Sequence, residues 1–302
     1  MPGSKFIIYS MSKIIISANC QTAALTRAMR ALLPNCEIIP FALHIEQSRE
    51  MQSSLRQNLS DADFLMAVNH EAEIFKESEN ENIKVVPIPL IHFEAFHPDI
   101  TYALHLPSKT HTNFHYNSKI AVWCYNQDLS IKDTLKLFNS SFYRALGYFD
   151  CWLTAEKSLA HRFAECGFSP KDFSTFFSKI KRCGNFMYSI NHPTSSVSVE
   201  LAKMIVKKVF NNEVDVDREI IVEDSLTESI WPLYTEIGDE LGLEGNYVWR
   251  IRNQEITGLE DYLNFAFLSY KKQKIKPGDL SMPNDKVAKG FNDSIYQLWK
   301  SL

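Results

Sequence analysis

The residue of this chain best suited to covalent chemistry is Cys20, in the stretch Ser17-Ala18-Asn19-Cys20-Gln21-Thr22. This stretch joins an apolar run to an amphipathic helix, so the thiol faces the unpaired N–H groups and the positive dipole end of that helix. Both stabilise a thiolate, and thiols in such sites have pKa values lowered from about 8.5 to roughly 3.5–7.5. We therefore predict a nucleophile at Cys20. The competing interpretation is a small buried residue without a chemical role.

Acyl transfer through a cysteine needs a general base, and His97 and His192 are the best candidates among the nine histidines. Each precedes a proline, which keeps the backbone of the histidine out of a helix. Asp99 lies close behind His97 and is expected to orient that imidazole by accepting its second N–H. The sequence does not decide between the two histidines.

A tetrahedral intermediate also needs hydrogen-bond donors aimed at its oxyanion. The backbone N–H groups of Cys20 and Gln21 are candidates, because they lie where the helix is predicted to start. The side-chain amides of Asn19, Gln21 and Asn69 are further candidates. The competing interpretation is that these amides only cap the local backbone, which is their commoner role at turns.

The chain has no overall basic field, since 32 Lys and Arg against 36 Asp and Glu give a net charge of −4 and a pI of about 6.2. Duplex nucleic acid is therefore not an expected partner. An anionic ligand, such as one that carries phosphates, must be held by local basic residues. The candidates are Arg27, Arg144, Lys181 and Arg182.

The six cysteines show no C-x-x-C pair and no paired spacing, so neither a disulfide framework nor a metal site is expected. A reducing cytoplasm fits this cysteine usage best. The N-terminus has one lysine and a short apolar patch, far below the about 20 residues of a membrane span. We expect a cytoplasmic protein without stable membrane insertion.

The first hundred residues alternate short apolar runs with helical patterns, which is typical of parallel βα units. Four strands are predicted: Lys13–Ser17, Cys36–Pro40, Asp63–Val68 and Ile83–Val86. One helix is predicted from Ala24 to Leu33 and a second over Glu46–Leu59. A parallel sheet binds ligands outside the carboxyl ends of its strands, where strand order reverses. Cys20, Asn69 and His97 follow such ends.

From residue 119 onward the pattern is helical and rich in aromatic residues. Helices are predicted through Leu135, Phe138, Phe142 and Leu146, over Leu159–Ala164, over Phe173–Ile180, and after Asn191-His192-Pro193-Thr194 with the proline in the first turn. Residues 243–302 are also predicted to be helical. We expect a small α/β subdomain over residues 1–118 within a predominantly helical single-domain fold, a helical part over 119–302, and a helical tail from about residue 253.

Three motifs have counterparts in one known family. The first is an apolar strand followed by Gly-Asn-Cys-Gln, which reads Ser17-Ala18-Asn19-Cys20-Gln21 here, with Ala18 in the place of the glycine. The others are Phe93-Glu94-Ala95-Phe96-His97-Pro98-Asp99 and the segment from Phe186 to Thr194 that contains Asn191-His192-Pro193. Over roughly residues 12–250 the chain resembles the WcbI-like polysaccharide-biosynthesis family.

That resemblance implies a coenzyme A-dependent acetyltransferase that modifies capsular or other surface sugars, with a small α/β subdomain in a mainly helical fold. Acetyl-CoA is then the acyl donor, a saccharide is the acceptor, and no metal takes part. The placement of Cys20 also resembles that of the serine in flavodoxin-like SGNH hydrolases. On this hypothesis Cys20 attacks the thioester while His192 or His97 moves the proton. Two alternatives stay open: an esterase or deacetylase of the same layout, and a non-catalytic carbohydrate- or nucleotide-binding module.

Overall fold

The structure is a computed structural model that describes residues 12–41, 53, 57–68, 80, 82–210, 214–282 and 285–300, with side chains of the last helix described from residue 293 onward. The described residues fall into two compact units. The first unit draws on residues 1–92, 157–187 and 191–226, and the second on residues 93–156, 188–190 and 227–302.

The helices are α1 (Thr22–Leu32), α2 (Lys119–Asn126), α3 (Ile131–Leu135), α4 (Ser140–Ala145), α5 (Cys151–Glu165), α6 (Pro170–Lys181), α7 (Ser195–Phe210), α8 (Thr235–Leu241), α9 (Leu259–Lys272) and α10 (Asp285–Lys300).

A four-stranded parallel sheet forms the centre of the first unit. Its strands are β1 (Lys13–Ser17), β2 (Glu37–Pro40), β3 (Phe64–Val68) and β4 (Lys84–Ile88), in the order β2-β1-β3-β4. The three isoleucines of β1 are 0% exposed and every residue of β3 is buried, as expected for strands covered on both faces. Each strand lies within one or two residues of its predicted ends, so the prediction of parallel βα units is confirmed.

Helices from both ends of the first unit's sequence pack together around this sheet. The apolar face of α1 packs on β1 and β2, and α7 packs on both α1 and α6. The predicted apolar stripe of α7, formed by Val197, Leu201, Ile205 and Val209, is buried. Because α6 and α7 belong with the parallel sheet, the division into units does not follow the predicted boundary after residue 118.

One segment, residues 214–226, stabilises the ends of both α1 and α7. Arg218 donates hydrogen bonds to the carbonyls of the last two residues of α1. The carboxylate of Asp224 accepts from the backbone N–H of Ser195, the first residue of α7. A cation at a helix C-terminus and an anion at a helix N-terminus both complement the helix dipole.

The second unit is built from helices and short antiparallel strands. β5 (Ile100–Thr101) pairs with β8 (Asn117–Ser118), β6 (Leu104–His105) pairs with both β7 (Thr110–His111) and β11 (Leu280–Ser281), and β9 (Val248–Ile251) pairs with β10 (Gln254–Thr257). Its core is rich in aromatic rings. Trp249 stacks on Tyr262 with ring centroids 4.3 Å apart, and both side chains are 0% exposed.

Two helical predictions in this unit are wrong. The single helix predicted through Leu135 and Leu146 is two helices, α3 and α4, because the side chain of Asn139 accepts from the N–H of Phe142 and starts a new helix. The C-terminal stretch predicted as helical contains the β9–β10 hairpin. Its two turn residues, Arg252 and Asn253, both take the positive φ that a tight hairpin turn requires.

The predicted helices after residue 150 are present as α5, α6 and α7. The prediction that Pro193 lies in the first turn of the last of these is wrong. α7 begins at Ser195, because Pro193 forms an isolated β-bridge with Met187. The chain is therefore extended and β-bridged directly before α7 begins.

Some predictions concern residues that the structure does not describe. Asn69 is one of them, and so is most of the helix predicted over Glu46–Leu59, of which residues 53 and 57–59 are described and helical. Within the described residues, no helix is long and apolar enough to cross a membrane.

Candidate functional site

Cys20 follows the C-terminal end of β1, at the point where the order of the parallel strands reverses. The chain passes from β1 to β2 on one side, and then crosses back over β1 to β3 on the other side. Ligands of open parallel sheets bind at this switch point. Cys20 lies in a 3-10 turn, Asn19–Gln21, directly before α1. The structure therefore has the strand-to-helix turn that the sequence predicts.

Hydrogen bonds of Thr22 hold this turn. The Thr22 hydroxyl accepts from the N–H of Ala18 at 2.8 Å and donates to the carbonyl of Asn19 at 2.7 Å. Asn19 has a positive φ of 43°, which asparagine tolerates better than most residues. Ala18 has a φ of −144°, so alanine in the place of the motif glycine carries no left-handed strain.

Three polar groups from two asparagines surround the sulfur of Cys20, which is partly exposed. The sulfur lies 3.1 Å from Asn19 Oδ1 and 3.9 Å from the backbone carbonyl oxygen of Asn191, and either oxygen can accept the single hydrogen of the thiol. Asn191 Nδ2 lies 3.8 Å from the sulfur and donates to it. The surroundings thus offer acceptors to the thiol and a donor to the thiolate.

The side chain of Gln21 joins three segments of the first unit. Its Nε2 donates to the carbonyls of Ile91 at 2.6 Å and Asn191 at 2.9 Å, and its Oε1 accepts from the N–H of Ile91 at 3.2 Å. The backbone N–H of Gln21 donates to the carbonyl of Ala18. All its N–H groups are therefore engaged, so this geometry does not agree with the prediction that Gln21 donates to an oxyanion.

His192 directly follows Asn191, so the segment that contacts Cys20 also carries a candidate base. His192 is half-buried, and the next residue, Pro193, is buried. The segment is held further along by the N–H of Thr194, which donates to the carbonyl of Phe186 at 3.0 Å. The backbone around His192 is thus supported on both sides.

The other predicted base, His97, belongs to the second unit. Its side chain is 2% exposed, and its Nδ1 lies 3.3 Å from the carbonyl oxygen of Pro232. The role of His97 as a base remains a prediction, as does its orientation by Asp99.

Asp99 is 0% exposed and anchors the loop of His97 in the second unit. Its carboxylate accepts from the hydroxyls of Tyr148 at 2.7 Å and Tyr234 at 2.9 Å, and from the N–H of Ile120 in the first turn of α2 at 3.2 Å. Burial raises the pKa of the Asp99 carboxyl above its usual range, while these bonds and one with Ser118 act in the opposite direction.

Two of the predicted phosphate-binding cations form ion pairs with exposed carboxylates. Arg27 Nη1 lies 3.0 Å from Glu223 Oε2 in the first unit. In the second unit, Arg144 lies 3.5 Å from Glu240, and its guanidinium is 4.9 Å from the ring centroid of Phe149. Exposed pairs of this kind contribute about 0–1 kcal/mol, so either arginine can exchange its partner for an anionic ligand.

The other two cations lie at the C-terminal end of α6 in the first unit. Lys181 is its last residue, with Nζ 5.6 Å from the ring centroid of Phe177, and Arg182 is the C-cap. Both side chains are exposed. At this end of a helix a cation stabilises the carbonyl dipoles, which is a structural role that the sequence does not separate from ligand binding.

Four other cysteines are kept as thiols by burial. Burial raises the pKa of Cys36 and Cys124, and raises the pKa of Cys151 and of Cys166 to about 11. These four are therefore poor nucleophiles at neutral pH. Among the described residues, no three His, Cys, Asp or Glu side chains are grouped to hold a metal ion.

Sequence reasoning missed Asn191 as a site residue. Its neighbour His192 was singled out because a proline follows, whereas the contact of Asn191 with Cys20 joins positions 171 residues apart. The one available signal is the motif Asn191-His192-Pro193 itself, and a motif does not state which of its polar members faces the sulfur.

Comparisons with known proteins agree on one family. The model of the family described as polysaccharide biosynthesis enzyme WcbI matches residues 13–212. The chain is also similar to a solved structure of WcbI, described as a polysaccharide biosynthesis enzyme in its native form without a disulfide bond between coenzyme A and one of its cysteines. That similarity has a TM-score of 0.69 at 14% sequence identity and covers 96% of each chain, which shows a shared fold. A search of curated proteins finds no match.

The raised pKa of Asp99 predicts a pH-dependent stability that Asp99→Asn removes. Because the folded-state pKa is above the unfolded value of about 3.9, the Asp99 contribution is fully present below that value and is lost as pH rises through the folded pKa. The free energy of unfolding of the wild type should fall relative to Asp99→Asn by up to about 1.4 kcal/mol per pH unit in that window. Urea denaturation from pH 3 to pH 8 measures the difference, and a difference that is constant with pH contradicts the prediction.

Proposed function

Because the chain belongs to the WcbI family of polysaccharide biosynthesis enzymes, we propose that it is a cytoplasmic acyltransferase that uses coenzyme A. The proposed reaction moves an acetyl group from acetyl-CoA to a sugar hydroxyl of a capsular or other surface polysaccharide, or of its precursor. The observation that carries this proposal is the Cys20 sulfur at the switch point of the parallel sheet, in contact with the residue that precedes His192.

In the first half of the proposed reaction His192 accepts the thiol proton of Cys20, and the sulfur attacks the thioester carbonyl carbon. The bond between that carbon and the sulfur of coenzyme A breaks, and His192 returns the proton to the departing sulfur. In the second half the sugar hydroxyl attacks the acyl carbon on Cys20 and gives its proton to His192. The carbon–sulfur bond to Cys20 breaks, and the proton returns to the thiolate.

Donors for the oxyanion of each half-reaction are proposed at Asn19 and the backbone N–H of Cys20, with Asn69 as a further candidate. The proposal for Asn19 is supported by the distance of 3.1 Å between its side-chain Oδ1 and the Cys20 sulfur. A turn of the amide about its last bond would present Nδ2 in place of Oδ1 to a developing negative charge. A variant route keeps the same residues but omits the acyl-enzyme: Cys20 then positions the thioester while the sugar hydroxyl attacks it directly.

His192 is the preferred base because it adjoins Asn191 in the segment that contacts Cys20. His97, oriented by Asp99, is the other candidate and lies in the second unit. Arg27, Arg144, Lys181 and Arg182 are the proposed contacts for the phosphates of coenzyme A.

Two alternative functions use the same residues. In an esterase or deacetylase, water replaces the sugar hydroxyl as the acceptor, and product analysis with and without added saccharide distinguishes it from a transferase. The other alternative is a non-catalytic carbohydrate- or nucleotide-binding module, in which Cys20 reacts with iodoacetamide no faster than a free thiol. The φ of Ala18 is ordinary, so alanine in the place of the motif glycine gives no backbone argument for this alternative.

Acetylation of Cys20 is the first expected outcome. Incubation with acetyl-CoA, acid quenching and intact-mass analysis should show one acetyl group on the wild type and none on Cys20→Ala. The matched control is Cys183→Ala, which removes an exposed thiol of the same unit and should keep the adduct. Full transferase activity in Cys20→Ala would falsify the covalent route.

Substitution of the base should slow transfer strongly. His192→Ala is expected to lower kcat by about 10²–10⁴-fold and to remove the acid limb of the pH–rate profile, because no group then accepts the thiol proton. His97→Ala is the paired variant and should keep that limb. If His97→Ala loses the limb while His192→Ala keeps it, the assignment of the two histidines is reversed.

Binding of coenzyme A should depend on Arg27. Arg27→Ala is expected to raise the Kd about tenfold, which corresponds to about 1.4 kcal/mol of a charge-assisted contact. Glu223→Gln should lower the Kd, because it releases Arg27 from its ion pair. Isothermal titration calorimetry measures both, with Lys132→Ala as the control for loss of an exposed charge. Equal Kd values for wild type and Arg27→Ala would exclude Arg27 from the site.

A further inference from the structure

We propose that Gln21 is a positioning residue for the Cys20 thiol. Its buried amide holds the backbone carbonyl of Asn191 and thereby keeps the side-chain amide of Asn191 on the Cys20 sulfur. The inference rests on the proposed function only in treating Cys20 as the reacting group, and it assigns Gln21 no contact with either substrate.

The orientation of the Gln21 amide is fixed by its partners. The N–H of Ile91 can only donate, so Oε1 must face it, and the carbonyls of Ile91 and Asn191 can only accept, so Nε2 must face them. The reversed amide would place an oxygen against two carbonyl oxygens. Gln21 is 4% exposed, so water does not replace these bonds cheaply.

The carbonyl that Gln21 holds belongs to the residue that contacts the sulfur. Gln21 Nε2 lies 2.9 Å from the Asn191 carbonyl oxygen, and the same oxygen lies 3.9 Å from the Cys20 sulfur. Because Gln21 also follows Cys20 directly in the chain, a single side chain sets the spacing between the two segments. Its second anchor, at Ile91, ties both segments to the chain that follows β4.

The contact that depends on this spacing is a long one. Asn191 Nδ2 lies 3.8 Å from the sulfur, near the outer limit of a hydrogen bond to sulfur, so a displacement of a few tenths of an ångström ends it. Asn191 Nδ2 donates to the sulfur and so favours the thiolate over the thiol. Without the Gln21 amide both groups of Asn191 move away from the sulfur. The carbonyl oxygen matters little to the thiol, because Asn19 Oδ1 is a nearer acceptor at 3.1 Å against 3.9 Å. Loss of the Nδ2 donor therefore decides the result, and the thiolate fraction of Cys20 falls.

The test is the rate of alkylation of Cys20 by iodoacetamide from pH 5 to pH 10, in a Cys183→Ala background that removes the exposed thiol. Gln21→Met keeps the length and volume of the side chain but removes its polar atoms. It should slow alkylation about fivefold at pH 7 and leave the rate at the high-pH plateau within twofold. Ile180→Val, a buried change in the same unit that leaves the segment of Asn191 intact, controls for loss of stability and should leave the profile unchanged.

A double-mutant cycle separates positioning from a general structural effect. Asn191→Ala alone should slow alkylation at pH 7 to the same extent, and adding Gln21→Met to it should change the rate by less than twofold. Wild-type reactivity in Gln21→Met overturns the proposal, and so does an equal slowing by Gln21→Met in the Asn191→Ala background. Because alkylation needs no acyl donor, absence of the acetyl adduct would refute the acyltransferase function while leaving this result interpretable.

Discussion

Burial of residues 14–17 of β1 is the constraint on which the first unit depends. With a parallel neighbour on each side and helix α1 packed on it, the strand has no room for an unsatisfied polar group. The chain becomes polar as the strand ends, and there it must turn within a few residues to start α1. Asn19, Cys20 and Gln21 occupy that turn. The position of Cys20 is thus set by the geometry of the sheet and does not depend on the reactivity of its thiol.

The parallel sheet could be predicted because short β-branched runs separated by an amphipathic helix have few other solutions. The β9–β10 hairpin could not. Its turn is made by Arg252 and Asn253, which lack the glycine that usually marks a two-residue turn. The break between α3 and α4 was hidden for a related reason: Asn139 interrupts an apolar repeat whose spacing alone fits one continuous helix.

The candidate site also has a part that could be predicted from the sequence and a part that could not. Cys20 could be predicted because its chemistry follows from local features, a strand end and a helix start. The contact with Asn191 could not, because it joins positions 171 residues apart. The hydrogen-bond partners of the Gln21 side chain could not be predicted from the sequence either. Its amide looks like a donor for a ligand, yet two carbonyls, those of Ile91 and Asn191, already take its hydrogens.

The segment of residues 214–226 has a consequence for behaviour in salt. Arg218 and Asp224 attach it to opposite dipole ends of α1 and α7, and Glu223 adds an exposed ion pair with Arg27. Attachment by partly exposed charges weakens as the Debye length falls from about 10 Å at 0.1 M to about 3 Å at 1 M. The apolar packing between α1 and α7 strengthens in the presence of kosmotropic salts such as sulfate. Concentrated sulfate therefore weakens the attachment of residues 214–226 to α1 and α7, while it strengthens the packing of these two helices against each other.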